Sequence, residues 1–307
     1  MKTAVLFPGQ GSQKVGMGQI AYESSSAAKA IFDEADALLG FSLSELAFTG
    51  PEDDLTDTVN QQPALFTTSV ANWCTMVEAN WPRPDFLAGH SLGEFSAFVA
   101  AGSINFADGL ALVRKRGELM KAAGEKEPGG MAAILALDVE TIQILCAQAS
   151  TSTGFPVQLA NDNCPGQIVI SGHEQALQEA MKLAESAGAR KIVRLPITIA
   201  AHSSLMASVT AEFGDAVEAT PIRRPDIPVV GNVTALPLYF VEDIRLEIKK
   251  QLTSPVAWAG SMHYLLAQEV DMFIETGPGS VLLGLLKRID RKTKRIKFEL
   301  DIEPSDL

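Results

Sequence analysis

The sequence predicts an α/β fold built on a largely parallel sheet, and three observations predict it. Short apolar, strand-like runs alternate with longer helical runs along the chain, as a parallel sheet with crossover helices requires. One such strand, 86–88, passes through Gly89-His-Ser-Leu-Gly93 directly into the apolar run 95–101, a strand–turn–helix in the form of a nucleophile elbow. With 307 residues, 47% of them hydrophobic and 20% charged, the chain has room for one large core or two subdomains.

The elements follow in order. Thr3-Ala-Val-Leu-Phe7, ended by Pro8-Gly9, reads as a strand at 4–7. Helices are expected at 27–39 and 64–78, then the strand 86–88 and a helix at 107–123. Residues 128–196 have their own rhythm of strand, helix, strand, helix, strand, with strands at 131–137, 167–171 and 191–195 and a helix at 174–187. Glu127-Pro-Gly-Gly130 and Leu195-Pro196 mark the two crossing points. We therefore expect a small α+β subdomain, 128–196, inserted into a larger one made of 1–127 and 197–307. A helix at 204–216 and strands at 228–232 and 272–275 complete the larger unit. Internal repeats and low-complexity tracts are absent from the sequence.

Composition excludes several classes of function. No apolar run reaches the roughly 18 residues that span a bilayer. The chain begins on a strand without a signal-peptide layout, so a soluble, cytoplasmic protein is expected. Cys74, Cys146 and Cys164, odd in number and scattered, form neither a disulfide framework nor a metal site. A net charge of −12 disfavours nucleic acid as a partner. The exception is local: 287–297 carries seven basic residues against Asp290 alone. That run reads as a solvated helix face, or as a surface for an acidic protein.

The chemistry centres on Ser91. Gly89 and Gly93 flank it at the two positions where a Cβ would collide as strand and helix close on each other. The helix N-terminus beside it offers unpaired N–H groups and a positive dipole end to an oxyanion. A nucleophilic serine needs a base, and the chain has four histidines. His90 adjoins Ser91 on a tight turn, so its side chain should point away. His173 opens a helix and His263 lies within one. That leaves His202, at the end of an extended apolar stretch, acting as a neutral imidazole near pH 7. No acid near it suggests itself as a third member, which leaves a backbone carbonyl to orient it.

Arg116 also asks for an explanation. At 100° per residue it falls inside the apolar arc of Leu112, Val113, Leu119 and Met120. A buried guanidinium needs an acceptor, either an internal carboxylate or that of a substrate held bidentately. The loop Phe7-Pro-Gly-Gln-Gly-Ser-Gln13 lacks both the Gly-x-Gly-x-x-Gly spacing and the Lys-Ser/Thr of nucleotide-binding loops. Gln10 is better placed there to offer a backbone N–H near the elbow.

Taken together, Phe7-Pro-Gly-Gln-Gly-Ser-Gln13, Gly89-His-Ser-Leu-Gly-Glu94, Arg114-Lys-Arg-Gly-Glu-Leu-Met120, Ala201-His-Ser203, Gly231-Asn-Val233 and Glu275-Thr-Gly-Pro-Gly279 resemble the malonyl-CoA:acyl-carrier-protein transacylases over essentially the whole chain. Residues 85–120 look especially like the free-standing acyltransferases of polyketide synthases. The resemblance implies an α/β-hydrolase-like large subdomain with a ferredoxin-like insert. It implies an acylated Ser91, His202 as base held by the main chain at Gln251, and an oxyanion hole from the N–H groups of Gln10 and Leu92. Arg116 would clamp the malonyl carboxylate, with His90 and Ala201 beside the substrate. The expected reaction transfers malonyl from malonyl-CoA to the phosphopantetheine thiol of an acyl carrier protein, for fatty-acid or polyketide synthesis, with no cofactor or metal. The family often carries His-Ala-Phe-His or Tyr-Ala-Ser-His before and at the base. Here Ile199-Ala-Ala-His202 stands instead, and the small Ala201 leaves room for a branched or longer acyl group. The alternative is a hydrolase that strips acyl groups from carrier proteins with the same Ser91 and His202.

Overall fold

The computed structural model describes residues 2–298. Ten strands occur among them: β1 (Lys2–Phe7), β2 (Phe86–Gly89), β3 (Gly129–Leu135), β4 (Val157–Cys164), β5 (Gln167–His173), β6 (Lys191–Arg194), β7 (Val229–Val230), β8 (Pro237–Leu238), β9 (Val270–Glu275) and β10 (Lys294–Lys297). They form two sheets. The first has the order β10-β9-β1-β2-β7-β8 and is parallel except for the short β7–β8 hairpin. Ala4, Val5, Leu6 and Phe7 of its central strand are fully buried, as befits a parallel strand covered on both faces.

The second sheet, β4-β5-β3-β6, is antiparallel throughout and draws every strand from 129–194. Its order and its β-α-β-β-α-β succession are those of a ferredoxin-like unit. Helices Val139–Thr153 and Glu174–Ser186 cover one face, where Ala132 and Ile134 of β3 join a core with Ile142, Cys146 and Leu177. The alternate residues Met131 and Ala133 line the cavity on the other face. Paired bonds tie the two units: Asp162 N–H to Val256 carbonyl at 2.9 Å and Val256 N–H to Ala160 carbonyl at 2.8 Å.

Five expectations need correction. The insert has four strands, because 157–164 pairs with β5 despite a sequence, Val-Gln-Leu-Ala-Asn-Asp-Asn-Cys, rich in residues that strands disfavour. The helix expected at 64–78 starts six residues earlier, at Thr58, with Asp57 as its cap and Pro63 inside it. Pro63 cannot donate to Val59 carbonyl, and Arg114 Nη1 donates to that oxygen instead, at 3.1 Å. The expected 204–216 helix is a 3₁₀ turn, Ser204–Val209, followed by an α-helix, Thr210–Ala219. The strand expected at 228–232 keeps only Val229–Val230. The basic run is not one helix face: Lys287 and Arg288 end the helix Val281–Ile289, whereas Lys294–Lys297 is the sheet's edge strand, where lysines discourage pairing with other chains.

Candidate active site

Ser91 sits between β2 and the helix Gly93–Ala100, at the C-terminal edge of the parallel sheet. The turn is as tight as the glycines imply: a Cβ on Gly89 would lie 2.0 Å from the Gly93 carbonyl carbon, and one on Gly93 2.1 Å from the Phe7 carbonyl oxygen. Ser91 itself adopts φ 50°, and so does His202 nearly, at 57°. Left-handed backbone at a non-glycine residue costs about 1–3 kcal/mol, and such residues cluster at functional sites.

The two side chains meet. Ser91 Oγ lies 2.8 Å from His202 Nε2. His202 Nδ1 lies 2.8 Å from the Gln251 carbonyl and 3.2 Å from the Ser254 carbonyl. Carbonyls only accept, so Nδ1 carries the proton and Nε2 is left to receive one from Ser91. Burial, aided by the positive charge of Arg116, pushes the His202 pKa down to about 3 and keeps the ring neutral. His90 does point away, its Nε2 lying 2.8 Å from Asn163 Oδ1.

Arg116 comes from the helix Phe106–Lys126 and is only 2% exposed. Its Nη1 donates to Gln62 Oε1 at 2.8 Å and its Nη2 to Ser91 Oγ at 3.1 Å, while Nε has no partner among the described residues. No carboxylate among the described residues forms an ion pair with it. Burial lowers its pKa to about 10, which leaves it charged at neutral pH. The Glu94 carboxyl acts on it only through space, and a buried cation with no direct ion pair, in contact with a serine hydroxyl, is an arrangement that accepts an anionic ligand.

The Ser91 N–H is taken by Asn232 Oδ1 at 2.7 Å, so it is not offered to a ligand. The next amide along the chain, that of Leu92, and that of Gln10 bond to nothing among the described residues. A cavity of about 560 Å³ opens between the two sheets and is lined by Gln10, His90, Ser91, Ala201 and His202 on one side and by Met131, Asn161 and Val169 on the other. Leu282 and Leu285 close its rim from the helix Val281–Ile289, whose first amides donate to the buried Glu275 carboxylate, Leu282 N–H at 3.2 Å and Leu283 N–H at 2.9 Å. Sequence reasoning missed Gln62, a polar residue one helix away from any motif, and gave Asn232, though it stands within Gly231-Asn-Val233, no role.

The pattern of the acyl transferase domain family matches residues 5–299. The chain belongs to this family. It is an acyltransferase, 46% identical over 295 residues to the malonyl CoA-acyl carrier protein transacylase of Bacillus subtilis, with 96% of this chain and 92% of the relative covered. The Staphylococcus aureus enzyme of the same name, from strain MRSA252, is 42% identical over 95% of this chain and 94% of its own length. Among solved structures, the malonyl CoA-acyl carrier protein transacylase of Coxiella burnetii superposes with a TM-score of 0.94 at 35% identity, covering 97% and 93% of the two chains. A malonyl-transacylase in complex with the acyl-carrier protein of a type II polyketide synthase matches with a TM-score of 0.94 at 36% identity, covering 97% and 96%. No helix among the described residues is long and apolar enough to cross a membrane.

Proposed function

We propose that the chain transfers a malonyl group from malonyl-CoA to the phosphopantetheine thiol of an acyl carrier protein, by way of malonyl-Ser91. The observation that carries this reading is Arg116, a buried guanidinium with no direct ion pair among the described residues, 3.1 Å from the Ser91 hydroxyl. A malonyl thioester brings a free carboxylate to that place, and neutral acyl thioesters do not.

His202 Nε2 takes the Ser91 proton as Oγ attacks the thioester carbonyl, and the resulting oxyanion accepts from the N–H groups of Leu92 and Gln10. Each such donor is worth roughly 3 kcal/mol in acyl transfer. The tetrahedral adduct collapses with loss of CoA thiolate, which recovers the proton from His202. The carrier-protein thiol then attacks malonyl-Ser91 from the same cavity and the steps reverse, in a ping-pong sequence. The sequence of steps draws on no metal and no bound cofactor. In this reading His90 and Ala201 border the acyl group, and the subdomains are 1–127 with 197–307, and 128–196. Three free thiols, Cys74, Cys146 and Cys164, fit a cytoplasmic setting. No observation favours the hydrolase alternative, for which a buried cation facing neutral acyl chains has no use.

Intact-protein mass spectrometry after incubation with malonyl-CoA or acetyl-CoA, with Ser91→Ala as control, tests the reading. A malonyl adduct that requires Ser91 and is discharged by phosphopantetheinylated carrier protein is expected. An adduct formed from acetyl-CoA in preference, and lost to water at the same rate with or without carrier protein, overturns it.

A further inference from the structure

Behind the reacting pair lies a second layer of buried polar groups that the transfer chemistry does not use. Glu94 is fully buried, and its Oε1 accepts from the backbone N–H of Asn232 at 2.8 Å and from Asn232 Nδ2 at 3.1 Å. Its Oε2 accepts from Gln251 Nε2. Both partners go on to grip the site. Asn232 Oδ1 accepts the Ser91 N–H at 2.7 Å, and its Nδ2 also donates to Gly89 carbonyl at 2.6 Å. Gln251 Nε2 donates to Ser91 carbonyl at 3.0 Å, while its own carbonyl holds His202 Nδ1. One carboxylate thus reaches the serine through two routes and the histidine through one.

We propose that Glu94 is the positioning residue for both halves of the reacting pair, locking the Ser91 turn through Asn232 and the His202 ring through Gln251. The proposal rests on the transfer reading above and deepens it. Glu94 touches none of the reacting atoms, so its effect is on their geometry.

A second carboxyl backs the first. Glu247 is 1% exposed and hydrogen-bonded to Glu94, in space that opens because residue 231 is glycine: a Cβ there would lie 2.8 Å from the Glu247 carboxyl carbon. Two carboxylates buried in contact do not both ionise. Burial raises the pKa of each, and the charge of Glu247 raises that of Glu94 further, so the pair keeps a proton. Glu94 receives three N–H donors, two from Asn232 and one from Gln251. Glu247 Oε1 accepts from Val233 N–H, and Thr234 also lowers the pKa of this carboxyl by hydrogen bonding. The proton the pair keeps bridges the two carboxyl groups, so that Glu247 backs the group that fixes the site.

Single-turnover acylation separates positioning from folding: the amplitude of the malonyl-enzyme adduct counts competent sites and its rate reads their geometry. Glu94→Gln presents one acceptor oxygen where there were two and meets a donor with its own NH₂. Its acylation rate should fall about 100-fold, the scale of small misplacements of reacting groups, at full amplitude and with the malonyl-to-acetyl preference unchanged. A loss of amplitude alone, or a rate within twofold of the parent, overturns the proposal. Should Glu94→Gln fail to fold, Glu247 decides: Glu247→Gln keeps a polar group able to hydrogen-bond Glu94 and should hold its rate within about threefold, whereas Glu247→Leu should slow as Glu94→Gln does. Equal losses in the two overturn it. Labelling of Ser91 by a fluorophosphonate reads the same pair without any thioester. A parent protein that labels but takes no malonyl group defeats the transfer reading alone, and the labelling rates of the Glu94 and Glu247 variants then judge the positioning.

Discussion

At the scale of single residues, Ser91, His202 and Arg116 form one electrostatic unit. Burial, and after it the charge of Arg116, lowers the His202 pKa, and Arg116 also donates to Ser91 Oγ, so the cation proposed to select the substrate helps keep the base neutral. Acylation by malonyl-CoA should accordingly show no acidic limb between about pH 5 and 8; a limb near 6.5, the ordinary histidine value, would place His202 in unperturbed surroundings. The same depression links folding to pH. The unfolded chain protonates His202 below about 6.5 and the native state only near 3, so this contribution is complete above 6.5 and is lost as pH falls from 6.5 toward 3. Removing the cation separates its two roles. Arg116→Ala should lower kcat/KM for malonyl-CoA roughly 10- to 100-fold, the worth of hydrogen bonds to a charged group. Acetyl-CoA should lose far less or gain, and an unchanged ratio of the two substrates would show that the carboxylate binds elsewhere.

At the scale of elements, the elbow exists because three backbones touch: the β2 end, the Gly93 turn and the Phe7-Pro8 loop. Gly93→Ala drives a methyl into the Phe7 carbonyl, which belongs to the central strand and cannot retreat. Urea unfolding should show a loss of about 3 kcal/mol or more, the upper end of overpacking. Gly40→Ala, also at a glycine but with φ 74° and open space around it, should lose only about 1–2 kcal/mol, the cost of left-handed backbone. Equal losses would mean that conformation, not contact, keeps Gly93. This motif was legible in the sequence because all its constraints are local: the glycines flank the serine they serve. The parallel strands at 4–7 and 86–88 were legible for the same reason, as apolar runs bounded by turns. β4 was not, because its polar residues are explained only by what they face: Asn163 bonds His90, and Asn161 lines the cavity. The true start of that region's helix, at Thr58, was hidden for a similar reason, since the donor that lets a helix run through Pro63, Arg114, lies 51 positions further along the sequence. The Glu94 layer was likewise invisible: a glutamate in an apolar helix start announces burial but not its partners.

At the scale of the whole molecule, charge is unevenly placed. The chain carries −12 overall, yet the exposed side chains of Lys287, Arg288, Arg291, Lys292 and Lys294 gather on one flank. That flank continues the helix whose Leu282 and Leu285 rim the cavity, and Arg288 reaches across to donate to the Gly166 carbonyl, beside the cavity residue Gln167. A thiol-bearing arm that entered the cavity over this rim would pass the basic run, which suits a partner of opposite charge carrying that arm. Electrostatic steering of this kind acts mainly on association and fades as salt screens it within about 8–10 Å. Reversing Lys287, Arg291 and Lys294 together to glutamate should raise KM for the carrier protein roughly tenfold and flatten its dependence on ionic strength. The malonyl-enzyme is best prepared beforehand, so that only its discharge is read and the CoA half-reaction does not intrude. If discharge keeps its rate and its salt dependence, the carrier protein approaches over another face, and the basic strand serves only to keep the sheet edge from pairing with other chains.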